Sequence, residues 1–242
     1  MDNKALQIEI SGTNYGKMIY VQGGTFRMGS DHFEWSLPIH DVTVDSFYIA
    51  ETQVTQRLWK AVTGNNPSDQ NYGYGIGDNL PVNNVSWNDV KNVFLPELNR
   101  LTGLKFRLPT ESEWEFAARG GNQSKGCTYS GSNRSADVGW SERNARQPET
   151  GGLYGVHQVA QKRPNELGIY DMSGNVWEWC EDFFAPSYPP QHVINPTGPA
   201  EGTSRVWRGG SYHNNAVNLR VGHRCGNPPD YRAAFVGVRL AV

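Results

Sequence analysis

The side chains able to do nucleophilic, redox or metal chemistry are few and scattered. There are three cysteines, Cys127, Cys180 and Cys225, and six histidines, His32, His40, His157, His192, His213 and His223. The histidines form no H-x-x-x-H grouping, and three widely spaced cysteines build neither a metal quartet nor a disulfide framework. A single Cys127 to Cys180 bridge is the one pairing they leave open. The stretch of unusual chemistry is instead Arg205 to Val242. Arginines and glycines recur there at Arg205, Arg208, Gly209, Gly210, Arg220, Arg224, Arg232, Gly237 and Arg239, with His, Asn, Tyr, Phe, Ala, Pro and Cys between them in no amphipathic order. From Gly209 onward Lys, Glu, Gln, Met and Trp are absent, although these types form about a fifth of the preceding chain, close to ordinary usage. The recurring residues suit a structural frame, because one guanidinium can tie several loop carbonyls together whatever its neighbours are. The residues between them suit contact.

The rest of the chain must position that stretch. No linker divides the 242 residues, so one domain over 1–242 is expected, with 205–239 as a region within it. With 27 Gly, 14 Pro, 8 Trp and a net charge of -2, the composition predicts many loops pinned by aromatic residues. Dispersed basic residues argue against nucleic acid as partner. No apolar run approaches the ~20 residues that span a bilayer, and the polar start MDNKALQIEISGTNYGK is no signal-peptide core.

Local patterns predict the elements. MIYVQGGTFRMGS reads as a hairpin turning at Gly23-Gly24, and IHDVTVDSFYIAET as further strand. VTQRLWKAVTG is a short amphipathic helix stopped by Gly64, and residues 65–79 form a surface loop. A second helix begins at Ser86, with Asp89 completing a capping box. Its stripe runs through Trp87, Val90, Phe94 and Leu98 to Gly103, and Pro96 is a potential interruption. Thr110 and Glu113 box the start of a third helix that Gly120-Gly121 stops. Regular signal then fades until LGIYDMSGNVWEWCEDFF, where Trp177 and Trp179, two apart, read as core.

The string GGTFRMGS, VTQRLW, PVNNVSWNDV, FRLPTESEWEFAARGG, NELGIYDMSGNVWEWCEDFF, RVWRGGSY and GVRLAV resembles, in order, the formylglycine-generating-enzyme type of C-type-lectin fold. That resemblance implies an α+β domain with two main helices, small antiparallel sheets and long interlocked loops. The fold carries both enzymes and binders, so the site must decide the function. In the oxidase branch two cysteines after RGGS[YFW] bind copper. Here those places are Asn214 and Leu219, neither of which is a soft ligand. Another branch uses histidines and a carboxylate for non-haem iron, but His213 and His223 read as loop histidines at a contact surface.

The C-terminal stretch is also similar, without a gap, to the variable proteins of diversity-generating retroelements. The resemblance places fourteen diversified, ligand-contacting positions at His213, Asn214, Asn215, Val217, Asn218, His223, Cys225, Gly226, Asn227, Pro228, Tyr231, Ala233, Ala234 and Phe235. Reverse transcription there randomises adenines of AAC and AAT codons. The five missing residue types have no codon ending in a pyrimidine, so their absence fits. Tyr231, Phe235, His213 and His223 are the expected anchors, since rigid rings give contact area at small entropic cost.

The expectation is therefore a non-enzymatic, monomeric binder displayed on the cell surface or outside the cell. Its partner would be a protein or cell-surface ligand, it would not insert into a membrane, and no cofactor would serve an activity. An oxidase or oxygenase of the same superfamily is the alternative. The resemblance further implies a structural calcium ion held by Asp171, Gly174, Val176 and Glu178. On the other reading of these residues, Asp171 caps a turn and Glu178 pairs with a frame arginine.

Overall fold

The computed structural model describes residues 5–68, 75–147 and 153–242. Three small sheets carry the architecture. Strands β1 (Leu6–Ile10), β2 (Thr13–Val21) and β5 (Phe47–Ala50) form one antiparallel sheet, in that spatial order. Strands β3 (Gly24–Met28) and β4 (His40–Val44) form a second, with the short β7 (Val193–Ile194) added parallel to β4. The third sheet has four strands in the order β9 (Arg224–Asn227), β8 (Arg205–Arg208), β6 (Trp177–Phe183) and β10 (Val236–Val238). Only β10 runs parallel to its neighbour, β6.

The expected hairpin at Gly23-Gly24 is not formed. β2 pairs with β1 and β5, while β3 pairs with β4, so the two glycines carry the chain from one sheet to the next. Their smallness serves close approach rather than a turn: a Cβ on Gly23 would sit 2.5 Å from the Val44 carbonyl oxygen, and one on Gly24 would sit 2.2 Å from Asn122 Oδ1.

The helices follow their local signals. Helix α1 (Gln56–Thr63) is capped by Thr55 and closed by Gly64 at φ 79°. Helix α2 occupies residues 87–102 behind a complete Ser86/Asp89 capping box. It runs through Pro96 because Val90–Phe94 form a π turn, which places the proline in the first turn of the next α-helical segment, where a missing N–H costs little. Helix α3 (Glu111–Ala118) has the Thr110/Glu113 box, and Gly120 at φ 93° ends it. The expected loop at 65–79 is partly irregular backbone, and its residues 69–74 lie outside the described residues.

The pleat of the four-stranded sheet sorts the core into two. Trp177, Trp179, Trp207, Val236 and Val238 join a cluster with α1 and α2, including Leu58, Trp59, Phe94 and Leu98. Their sequence neighbours Cys180 and Val206 join Trp114 and Phe116 of α3 and the strands of the second sheet. The alternation is the ordinary consequence of side chains pointing to opposite faces along a strand.

Candidate functional site

Glu178, Arg208 and Arg224 lie side by side across the sheet on the α3 face, Arg208 being paired with Glu178 on one side and Arg224 on the other. Arg208 is fully buried. It binds Glu115 through a short contact, Glu111 Oε1 at 3.3 Å and the Val221 carbonyl at 2.9 Å. Arg224 grips Glu111 with Nε and Nη2 at 2.6 and 2.7 Å and gives Nη1 to the carbonyls of Trp35 and Ala185. Arg239 holds Glu178 through two bonds of 2.8 and 2.9 Å and spends its other donors on the carbonyls of Ala50 and Tyr170. Burial alone would raise the Glu115 carboxyl, but Arg119 and Arg208 on either side hold it below the usual carboxylate range. These arginines fix the strands and strand ends between which residues 209–223 and 228–235 run.

Three frame arginines are not fully buried: Arg205 is half-buried and gives Nη1 to the Glu181 carbonyl at 2.7 Å while its Nε has no partner. Arg232 leaves half its side chain in solvent and reaches Asp89 with two 2.6 Å bonds, tethering its loop to α2 from outside. Arg220 is half-buried, and its Nε finds no hydrogen-bond partner.

The fourteen positions that the resemblance marks as diversified differ in exposure. His213, Asn215, Val217, Pro228 and Tyr231 are exposed, and Asn214, Asn218, Cys225, Gly226, Asn227, Ala233, Ala234 and Phe235 are half-buried. His223 alone is buried, at 7% exposure, which corrects its place among the freely projecting anchors. It packs edge-on against Phe33 with centroids 4.3 Å apart and lies 5.5 Å from Trp177. Burial first, and the nearby Arg208 second, push its imidazole down to about 4, so it is neutral at physiological pH.

Trp177 and Trp207, whose ring centroids are 6.0 Å apart, form an aromatic floor. Tyr231 and Phe235 meet Trp207 at 5.4 and 6.3 Å, and His213 stacks on Phe235 at 5.9 Å. Cys225 pairs with Trp207 across the sheet and packs against the same cluster. His213, Asn214, His223, Cys225, Tyr231 and Phe235, from three chain segments, therefore gather around the same two indoles. Trp177 and Trp179 are core, as their spacing predicts, and Trp177 serves as floor as well.

Some of these positions also hold the loops. Asn214 Oδ1 accepts from Trp177 Nε1 at 2.8 Å and from the Ser211 backbone N–H and hydroxyl at 3.1 and 2.7 Å. Asn215 Oδ1 accepts from the Val217 N–H, capping the 3-10 turn Ala216–Leu219. A Cβ on Gly226 would meet the Phe184 ring at 2.4 Å, so any larger residue there must displace that ring.

Copper ligands do not fit. The two places the oxidase pattern assigns to thiolates hold the Asn214 amide and the fully buried Leu219, so no redox step is derived. The three cysteines are free, leaving the Cys127 to Cys180 pairing unmade. Among the described residues no group of three or more His, Cys, Asp or Glu side chains could hold a metal ion, and no helix is long and apolar enough to cross a membrane.

The cage expected for calcium differs from its sequence pattern. Positive φ at Asp171 (60°), Gly174 (108°) and Asn175 (65°) curls the turn. The carbonyls of Asp171, Gly174 and Val176 and Glu178 Oε1 all come within 3.3 Å of the side-chain nitrogen of Gln53. Asp171 offers its carbonyl there, while its carboxylate Oδ2 accepts from the Ala160 N–H at 2.8 Å. Burial raises that carboxyl to about 6. Both readings of Asp171 and Glu178 as turn residue and arginine partner are realised.

Comparison with known proteins agrees with this geometry. The sulfatase-modifying factor enzyme 1-like domain family matches residues 6–242. Variable protein 1 of Treponema denticola superposes with a TM-score of 0.85 at 30% identity, covering 98% of each chain. Among curated proteins, a formylglycine-generating enzyme of Thermomonospora curvata is 34% identical over 240 residues, 92% of this chain and 76% of that one. A protein named chaperone protein LppX from Paenibacillus barcinonensis is 32% identical over 237 residues, 81% and 78% of the two chains.

Proposed function

Since the chain belongs to the sulfatase-modifying factor enzyme 1-like family, whose fold serves more than one purpose, we propose that it is a non-enzymatic binding protein whose loops 209–235 present an exchangeable receptor surface. The observation that carries this reading is that thirteen of the fourteen positions are exposed or half-buried and that Asn214, Cys225, Tyr231 and Phe235, from three chain segments, meet the Trp177 and Trp207 floor, His213 joining them through Phe235. The likeness to a variable protein over nearly the whole chain supports it. So does the separation of duties: buried arginines hold the loop ends, and the residues between them can change without unpairing a buried charge.

Rings at Tyr231, Phe235 and His213 supply contact area, and Asn215, Asn218 and Asn227 supply adaptable hydrogen bonds. The partner is a protein or cell-surface ligand met outside the cell, and the chain works as a monomer with no cofactor for activity. Retroelement diversification predicts, in the source genome, a near-copy of the DNA encoding residues 205–239 beside a reverse-transcriptase gene. That copy would carry AAC or AAT codons at the fourteen positions. A complete genome lacking it overturns the diversification.

The 34% identity to a formylglycine-generating enzyme favours the oxidase as the second reading. Copper-dependent oxidation of a peptide thiol by the purified chain decides for it, and the amide and isobutyl groups at Asn214 and Leu219 predict none.

A further inference from the structure

Three of the oxygens that family resemblance assigns to calcium, the Gly174 and Val176 carbonyls and a Glu178 carboxylate oxygen, are already engaged by one amide, together with the Asp171 carbonyl, while the Asp171 carboxylate turns its Oδ2 to the Ala160 N–H and leaves Oδ1 without a partner. The Asp171, Gly174 and Val176 carbonyls and Glu178 Oε1 lie 3.3, 3.3, 2.9 and 3.0 Å from Gln53 Nε2. Those are N–H to oxygen distances, whereas calcium draws its oxygens to about 2.3–2.6 Å. Gln53 is 1% exposed, so its amide is part of the interior.

A cation in such a cage does two things: it satisfies converging acceptors and neutralises the carboxylate. Both are done here by the protein. Gln53 supplies the donors. Arg239 supplies the charge, binding both oxygens of Glu178 from a fully buried position, and Trp114 Nε1 adds a third donor at 2.6 Å. The amide orientation follows from the same contacts. With its nitrogen inward, Gln53 gives protons to oxygens; turned over, it would set a fifth oxygen against four, an arrangement only a bound cation could hold. The inward nitrogen leaves Gln53 Oε1 without a hydrogen-bond partner, a smaller cost than five clustered acceptors.

We propose that Gln53 and Arg239 together replace the calcium ion in this chain, the amide as donor to the cage and the guanidinium as its counter-charge. The loop 171–178, which leads into β6 and so sets the height of the Trp177 floor, is thereby fixed independently of divalent ions.

The test uses the full chain purified in calcium-containing buffer. Elemental analysis is expected to find far less than one calcium per chain, and the unfolding midpoint is expected to be the same in excess EGTA and in millimolar calcium. Gln53→Ala removes the two N–H protons shared among four buried acceptors and lowers the midpoint by about 5–10 °C. Gln53→Glu adds a carboxylate to the cage and makes the midpoint rise with calcium and fall with EGTA. One calcium per wild-type chain, together with a midpoint that drops in EGTA, overturns the proposal. So does a Gln53→Ala protein as stable as wild type. If Gln53→Ala does not fold, the wild-type calcium content and chelator response still decide.

Discussion

The two sides of one sheet obey opposite rules. On the α3 side, Arg208, Arg224 and Arg239 are locked to Glu111, Glu115 and Glu178 with almost no water present. On the other side, Trp207 and Trp177 form a floor covered by side chains from three loops, most of them reaching solvent. The same strands supply both, one residue apart: Arg208 beside Trp207, Glu178 beside Trp177. A surface can be remade repeatedly when the strands under it are held from behind by charges that lose heavily if unpaired. Buried pairs often contribute little against an apolar substitute, whereas losing half of a pair is costly.

The sharpest way to break this contrast is to remove one arginine. Arg208→Ala takes one of two arginine partners from each of the buried Glu115 and Glu111 and should cost about 3–5 kcal/mol of unfolding free energy, read by denaturant titration. A loss comparable to that of an exposed loop substitution would show that the charged side does not carry the sheet.

His223 tests the border between the two sides, being one of the fourteen positions proposed as variable and yet buried beside Arg208. Its folded pKa of about 4 lies below the ordinary histidine value of 6.5, so the folded chain binds its proton less readily than the unfolded one. Its contribution is fully present above pH 6.5 and is lost as pH falls towards 4, by about 3 kcal/mol. His223→Asn should remove that part of the acid sensitivity, measured as the difference between the two proteins' stability curves from pH 7 to pH 4. Identical slopes would place His223 in water.

Within the loops the contrast can be graded. Asn214→Ala removes an acceptor shared by Ser211 and Trp177 and should cost about 1–2 kcal/mol by the same titration. Val217→Ser, at a side chain 49% exposed, should change stability by less than about 0.5 kcal/mol. If Val217→Ser proves the costlier of the two, exposure is not what makes a position exchangeable.

Much of this was legible in the sequence, and what was not has a physical reason. The capping boxes at Ser86/Asp89 and Thr110/Glu113 are local chemistry and are found where they were read. The ordered motifs indicate the fold, and the frame arginines stand out by recurrence. Their partners do not. Glu111, in the first turn of α3, and Glu115, one turn further on, carry no local sign of burial, and only the sheet packing on α3 reveals them as buried counter-ions. Gly23-Gly24 carries a turn signature although its glycines serve a crossing between sheets, a distinction made by residues distant in sequence. Gln53 gives no signal at all, since its acceptors lie more than a hundred residues away. The burial of His223 depends on Phe33, equally remote.

The segment after Arg208 is pinned to the sheet again at Arg224–Asn227 and at Val236–Val238. Eleven of the fourteen positions proposed as exchangeable therefore fall into two short spans with independently anchored ends, and Cys225, Gly226 and Asn227 lie in the anchoring strand itself. Among the described ring contacts, only His213 on Phe235 joins variable side chains of one span to those of the other. Substitutions in different spans should combine almost additively, with epistasis concentrated in that pair. A repertoire built this way can be searched span by span, and improvements found in one can be kept while the other changes.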